Sequence, residues 1–375
     1  MKDVEFYINK VSVLPDEKLA KYGKLFDRSE IMRFHQSLPG YQPTPLYSLP
    51  ELAPSLNIKE LWVKDESERM GLKAFKVLGA SYAIKNLLQE LPPDAVFCTA
   101  TDGNHGMAVA WSASLFDKKA VIFIPEGSAQ LRKWNIEKEG AKVIEVSGDY
   151  DDAVDMARKQ SEENGWTLVQ DSSFDDYEDI PLDIMSGYIT ILKEMEREIH
   201  TPRKPQFDIV ILKAGVGSWA AAAVWYYHNK YRENRPKIVL VEPSSADCCM
   251  ESMKNGRLSH TKNSPDTMMV GLSCGTPSKV AFDILKDGVD LFITIPDYYA
   301  GAAMMAFYFS KGDDPQIISG ETGAAGLGGL IALRHEEKLR DAKDFIELNS
   351  SSRVLVFNTE GNTDPENFNR IIHGE

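Results

Sequence analysis

Short apolar runs rich in β-branched residues alternate along this chain with segments of helical periodicity. Eight runs predict strands: Val96–Ala100, Ala120–Ile124, Lys142–Val146, Trp166–Gln170, Asp208–Lys213, Lys237–Val241, Asp290–Ile295 and Arg353–Phe357. Four periodic segments predict helices between them: Asn104–Leu115, Gln130–Glu139, Tyr150–Asn164 and Trp219–Tyr231. Several predicted strands are continuously apolar, as in parallel sheets covered on both faces. The pattern predicts an α/β fold of open, mostly parallel twisted sheets flanked by helices.

The predicted strands form two series, which favours two lobes with a cleft between them. The first series ends near residue 171, and the second begins near residue 207. An amphipathic stretch, Pro181–Ile199, leads into a join rich in proline and charge, Glu196–Pro205. We expect a small α/β domain of residues 83–195 and a large domain made of residues 1–82 and 196–375.

Composition narrows the classes of partner. The 375 residues include 42 Lys and Arg against 56 Asp and Glu, a net charge of −14 that disfavours nucleic acid and acidic membranes. The amino terminus lacks the apolar core of a secretory signal, and the longest uncharged apolar stretch, Ala214–Tyr227, is too short to cross a bilayer. We expect a cytoplasmic protein. The four cysteines show no C-x-x-C spacing, so no metal site is predicted.

The first motif with chemical potential is GLKAFKVLGA, residues 71–80, which holds Lys76 just before a helical run. An ammonium group among Phe, Val and Leu must be desolvated or paired. A desolvated lysine has a lowered pKa and reacts readily as a Schiff-base nucleophile. A solvated lysine at a helix start explains the same pattern about equally well.

Two further motifs stand where a predicted strand gives way to a helix. TDGNHG, residues 101–106, places Asp102 and Asn104 at the carboxyl end of a strand, where open α/β sheets bind ligands, although such residues also cap helices. AGVGS, residues 214–218, lets backbone N–H groups approach an anion such as a phosphate. It lacks both the third glycine of a dinucleotide fingerprint and a Walker lysine, which disfavours nucleotides.

Together and in this order, the three motifs resemble the fold-type II (tryptophan synthase β-like) family of pyridoxal-phosphate enzymes. The resemblance implies that Lys76 binds the cofactor covalently and that Asn104 holds its 3′-oxygen. Thr359, at the end of a predicted strand, matches the hydroxyl placed against the pyridine nitrogen. The residues implied for the phosphate are Ala214, Gly215, Val216, Gly217 and Ser218.

The match is closest to the diaminopropionate ammonia-lyase branch of that family. Supporting stretches run from YQPTPL at residue 41, through GLSCG at 271 and SGETGA at 319, to NTEGNTD ending at 364. Asp102 is the most telling, because generic serine and threonine dehydratases commonly carry a small or hydroxyl residue there. Departures from the family pattern occur at Lys73, Thr322 and Asn358.

The resemblance implies elimination of 2,3-diaminopropionate to pyruvate and two ammonia. Lys76 would take the Cα proton of the L-isomer, and Asp102 that of the D-isomer from the opposite face. Asp102 is also a candidate donor to the leaving amino group. Asp171 matches a second acidic position, suited to a substrate with an extra ammonium, although a turn cap is as plausible.

Three questions stay open at the level of sequence. A serine or threonine dehydratase is the alternative within the family, and an amino-acid-binding protein without catalysis is the alternative outside it. Cys248 and Cys274 are either reduced thiols, as the cytosol favours, or a disulfide near the site. The family also implies a homodimer that acts on a small amino acid.

Overall fold

The computed structural model describes residues 3–148, 150–199, 205–262 and 264–374. Its strands are β1 (Glu5–Ile8), β2 (Leu46–Ser48), β3 (Glu60–Asp65), β4 (Val96–Ala100), β5 (Lys119–Pro125), β6 (Lys142–Val146), β7 (Thr167–Leu168), β8 (Ile209–Lys213), β9 (Lys237–Pro243), β10 (Leu291–Ile295) and β11 (Arg353–Asn358). Its helices are α1 (Asp16–Phe26), α2 (Ser29–Gln36), α3 (Lys76–Leu87), α4 (Asn104–Leu115), α5 (Gln130–Lys138), α6 (Tyr150–Asn164), α7 (Asp179–Ile199), α8 (Ser218–Tyr231), α9 (Cys248–Asn255), α10 (Lys279–Gly288), α11 (Asp297–Tyr308), α12 (Glu321–His335), α13 (Arg340–Phe345) and α14 (Pro365–His373).

The larger sheet has seven strands in the order β1-β10-β9-β8-β11-β3-β2. Its two edge strands, β1 and β2, are antiparallel to their neighbours, and the strands between them run parallel. Successive side chains of a strand point to opposite faces. Accordingly Val210 and Leu212 of β8 join the core that contains α8, whereas Ile209 and Ile211 join the core that contains α12. Helices therefore cover both faces, as predicted.

The smaller sheet has four parallel strands in the order β6-β5-β4-β7. Its core on one face includes Cys98 and Phe123, which pack with Ala153 and Ala157 of α6. Helix α4 packs against β4 and β5, and α3 packs in turn on α4 and on α7. All eight predicted strands are present, but β7 is only two residues long. The expected boundary between residues 82 and 83 lies within α3.

A buried ionic network joins the end of β3 to α7. Lys64 Nζ lies 2.9 Å from Glu194 Oε2, and an Arg69 guanidinium nitrogen lies 2.8 Å from the same oxygen. Arg69 also bonds Glu66 at 2.7 Å. These four side chains are almost completely shielded from solvent. Among the helices of the described ranges, none combines the length and the apolar character that a membrane span needs.

Candidate active site

A cavity of about 290 Å³ lies between the two sheets. It opens where β4, β8 and β11 end and where α3, α4, α8 and α12 begin. The ten site residues predicted from sequence all line it: Lys76, Asp102, Asn104, Asp171, Ala214, Gly215, Val216, Gly217, Ser218 and Thr359. The structure thus brings together motifs that are up to 283 positions apart, between Lys76 and Thr359 (359 − 76).

Lys76 is the first residue of α3, and its ammonium group pairs with the carboxylate of Asp171. Burial alone would lower the pKa of Lys76, but the charge of Asp171 outweighs it and raises that pKa. Burial likewise opposes ionisation of Asp171, yet the charge of Lys76 lowers the pKa of Asp171 to about 2. The lysine is therefore paired and protonated here, in contrast to the lowered pKa that desolvation alone predicts.

Asp102 belongs to a different charged group on the small-sheet side of the cavity. Its Oδ2 accepts a hydrogen bond from Ser128 Oγ at 3.2 Å and lies 3.4 Å from a guanidinium nitrogen of Arg132. It is one-quarter exposed, so substrate can reach it. Asp102 and Asp171 are thus held by different partners, and Lys76 is paired with only one of them.

Asn104 and His105 form the first turn of α4. Asn104 Nδ2 donates to the carboxylate of Glu360, which also accepts the backbone N–H of Thr322 at 3.1 Å. His105 Nε2 lies 2.8 Å from the carbonyl oxygen of Val169, which ties the loop to the segment after β7. His105 is buried and burial lowers its pKa. The histidine therefore holds the loop in place.

The glycine-rich loop links β8 to α8 with its backbone close to neighbouring segments. Gly217 has φ +92°, which favours glycine, and a Cβ on Gly215 would lie 2.8 Å from Cys274 Sγ. Ser218 Oγ donates to the backbone oxygen of Asp171 at 2.7 Å. The indole Nε1 of Trp219 is buried and, within the described residues, without a partner.

This donor set fits pyridoxal phosphate. The N-terminus of α8, with the bare backbone of Gly215 and Gly217 before it, offers N–H groups to a phosphate. Lys76 offers the amine that attaches the aldehyde, and the Thr359 hydroxyl also lines the cavity. One cavity is therefore lined by an amine, a loop suited to bind a phosphate and a neutral hydroxyl group.

Other charged residues of the cavity were not singled out from the sequence, among them Arg132, Lys213, Glu360 and Asp364. Lys213 is buried at the end of β8 and donates to the carbonyl oxygens of Gly323, at 2.6 Å, and Phe357. Burial lowers the pKa of Lys213 to about 7. A charge that ends an apolar strand directly before a glycine loop was the signal that could have identified this residue.

Glu321, in the SGETGA stretch that supports the family resemblance, is the first residue of α12. Burial, together with the negative charge of Glu360, raises the pKa of Glu321 to about 7. Its carboxylate accepts a hydrogen bond from the Asn367 side chain. Burial, the charge of Glu360 and the hydrogen bond from Asn367 thus all act on the Glu321 carboxyl group at the cavity wall.

Three of the four cysteines, Cys248, Cys249 and Cys274, lie beside the glycine-rich loop. All four in the chain are free thiols, so Cys248 and Cys274 are not joined in this structure. Cys248 Sγ lies 3.7 Å from the carbonyl oxygen of Gly215, and Cys249 Sγ lies 3.8 Å from it. The Cys248 and Cys249 thiols therefore contact the backbone of the loop.

Comparisons with known proteins agree with this geometry. A profile described as "Pyridoxal-phosphate dependent enzyme" matches residues 38–351. Diaminopropionate ammonia-lyase from Salmonella typhimurium is 37% identical over 92% of this chain and 91% of its own. The crystal structure of diaminopropionate ammonia lyase from Escherichia coli in complex with an aminoacrylate-PLP azomethine reaction intermediate is 36% identical, with a TM-score of 0.88 over 100% of this chain and 98% of its own. L-threonine ammonia-lyase from Geobacter sulfurreducens is 26% identical over 70% of this chain and 60% of its own.

Proposed function

The chain belongs to the pyridoxal-phosphate dependent enzymes and, within them, to the diaminopropionate ammonia-lyases, and from this premise we propose how its residues divide the reaction. It is a carbon-nitrogen lyase that uses pyridoxal phosphate. Its reaction converts 2,3-diaminopropionate and one water into pyruvate and two ammonia. The observation that carries our assignment is that Lys76 and Asp102 reach one cavity with separate partners, Asp171 and Arg132.

Binding assignments follow from the cavity wall. Lys76 would hold the cofactor covalently, Asn104 its 3′-oxygen, and Thr359 its pyridine nitrogen. The phosphate would lie on the backbone of residues 214–218. Once bound, pyridoxal phosphate supplies an electron sink for the pair released at Cα.

Proton transfers fall to the chain's own side chains. Lys76 Nζ, in its neutral amine form, would take the Cα proton of the L-isomer, and an Asp102 carboxylate oxygen would take that of the D-isomer from the opposite face. With the D-isomer, Asp102 would then return the proton that it has taken to the β-nitrogen, which leaves as ammonia. Asp171 acts as counterion to Lys76 and supplies negative charge near the second amino group of the substrate.

The direct test is pyruvate release by the holoenzyme with D- and L-2,3-diaminopropionate, D- and L-serine and L-threonine in parallel. We expect strong preference for diaminopropionate of both hands. Preference for serine or threonine would keep the fold and the Lys76 role but overturn the substrate assignment and the role of Asp102 as base for the D-isomer.

Substitution of the lysine tests the covalent site separately. Lys76→Ala should abolish both the absorbance of covalently bound cofactor and nearly all turnover, a loss of at least about 1,000-fold. Lys85→Ala is the matched control, because Lys85 lies on the same helix α3 but does not line the cavity. Full activity in Lys76→Ala would contradict the assignment.

We further propose that the enzyme is a cytoplasmic homodimer with a small domain of residues 83–195. Four free thiols suit a reducing compartment, and the family resemblance supports the dimer. The strands of the smaller sheet all lie between Val96 and Leu168, inside the proposed domain. Fractionation of source cells and light scattering of the purified enzyme test the first two points, and limited proteolysis tests the third.

A further inference from the structure

Arg132 connects the two sides of the cleft at the cavity wall. It lies on α5, which packs on α4 and β6 of the smaller sheet. One guanidinium nitrogen lies 3.4 Å from Asp102 Oδ2 on the same side. The other lies 3.8 Å from Oδ2 of Asp364, which precedes α14 on the larger-sheet side. One planar group therefore faces a carboxylate from each side of the cleft.

The geometry around Asp102 gives its two oxygens different surroundings. Ser128 Oγ, at 3.2 Å, and Arg132 both address Oδ2. A carboxylate held at one oxygen by two donors has a restricted orientation, because rotation about its side-chain torsions would break both contacts. The other oxygen, Oδ1, is not engaged by these two donors and would be the one that takes the substrate proton.

Asp364 is itself fixed in place. Its Oδ1 accepts the backbone N–H of Asn367 at 3.1 Å and so caps α14, which leaves Oδ2 for Arg132. The three side chains are each between one-fifth and three-tenths exposed, so the contacts are only partly screened by water. Asp364, the carboxylate on the larger-sheet side, is thus held in place by the helix that it caps.

We propose that Arg132 is a positioning residue for the Asp102 base and ties that base across the cleft to Asp364. This inference rests on the proposed function, because it assigns Asp102 to the D-isomer. Arg132 holds Asp102 at Oδ2 and touches no reacting atom. Its effect through Asp102 is therefore specific to the D-isomer, whereas the contact with Asp364 links the two sides of the cleft for either isomer.

The experiment compares holoenzyme variants on both isomers of 2,3-diaminopropionate, with kcat and KM determined separately. Arg132→Gln should lower kcat for the D-isomer by about 10-fold or more, because small displacements of a catalytic group are costly. The L-isomer should lose less than about 3-fold, and Arg132→Lys should restore much of the D-isomer rate. Arg158→Gln, on an exposed arginine of α6, is the matched control and should change neither.

Asp364→Asn separates the cross-cleft contact from the hold on Asp102. Asparagine keeps an oxygen for the α14 cap but loses the charge that faces Arg132. We expect KM to rise for both isomers with the D-to-L ratio of kcat unchanged. Absorbance of bound cofactor and thermal unfolding should match the wild type in every variant.

The outcomes are separable. Equal losses of kcat for the two isomers in Arg132→Gln would show that the arginine is merely structural and would overturn the proposal. No loss of kcat for either isomer would overturn it as well. A wild-type enzyme that fails to process the D-isomer would instead overturn the proposed function on which the inference rests. Wild-type turnover of both isomers with no selective defect in Arg132→Gln would overturn this inference alone.

Discussion

The pair between Lys76 and Asp171 determines the protonation state of the residue that must bind the cofactor. Asp171→Asn removes the main charge that raises the pKa of Lys76, so burial, which lowers that pKa, is opposed only by the weaker contributions of Tyr188 and Cys274. The neutral amine, which is the nucleophile, should therefore exist at lower pH. We expect the midpoint pH for uptake of pyridoxal phosphate by the apoprotein to fall by about one unit or more, measured by absorbance.

A control keeps this prediction specific. Asparagine at 171 retains the backbone oxygen that accepts Ser218 Oγ, so the loop contact is preserved. Asp176→Asn removes one nearby negative charge from an exposed residue that does not line the cavity, and its midpoint should stay at the wild-type pH. An unchanged midpoint in Asp171→Asn would show that Asp171 is not the counterion of Lys76.

The sequence predicted residues that line the cavity better than it predicted which side chains they contact. Asp102 and Asn104 stand in a short motif at the junction of β4 and α4, and the carboxyl ends of strands are where α/β sheets bind ligands, whereas Lys76 stands in a motif at the start of α3. Arg132 carries no local signal, since an arginine on a polar helix usually faces water, and Glu360 lies in the NTEGNTD stretch with no cue to its contact with Asn104. They join the cavity only because the fold brings distant segments together.

Among the elements, the link from β8 to α8 depends on a glycine conformation. Gly217 has φ +92°, and a Cβ there would lie 2.7 Å from Leu285 Cδ1. Gly217→Ala should strain the backbone by about 1–2 kcal/mol and displace the N–H groups of the loop. We expect about 10-fold weaker binding of pyridoxal phosphate, measured by titration of the apoprotein.

Gly256→Ala isolates the contribution of the loop from general strain. Gly256 ends α9 with φ +66° and has open space where a Cβ would be placed. Alanine there should lower the free energy of unfolding by a similar amount without weakening the binding of pyridoxal phosphate. If both variants bound the cofactor as the wild type does, the loop would not be the phosphate site.

The elements that sequence predicted and those it missed differ in burial pattern. Strands β8 and β10 consist of buried residues throughout, and their apolar runs identified them. Strands β1 and β2 lie at the edges of the larger sheet and are only three or four residues long. Strand β3 was missed because its end carries Lys64 and Asp65, charged residues that the fold nonetheless buries.

At the scale of the whole molecule, the buried charges at the end of β3 affect the free energy of unfolding mainly through their contacts with Glu194 of α7. Glu194→Gln would leave Lys64 and Arg69 with Glu66 as their remaining carboxylate in the network described above. Breaking a buried pair costs about 3–5 kcal/mol, which urea unfolding of the apoprotein at pH 7 can measure. Glu196→Gln, which affects surface pairs with Lys193 and Lys230, should cost about 1 kcal/mol or less.

Acidic pH should reduce the difference in unfolding free energy between the wild type and Glu194→Gln. Burial opposes the ionised form, but hydrogen bonds and charge from Arg69 and Lys64 lower the pKa of Glu194 to about 2, below the ordinary 4.5. The stabilisation is therefore complete above about pH 4.5 and is lost as pH falls toward 2, by about 1.4 kcal/mol per pH unit. The difference in unfolding free energy should shrink by about 2 kcal/mol between pH 7 and pH 3. A difference that stayed constant over this range would mean that the loss in Glu194→Gln comes from packing, because packing does not titrate.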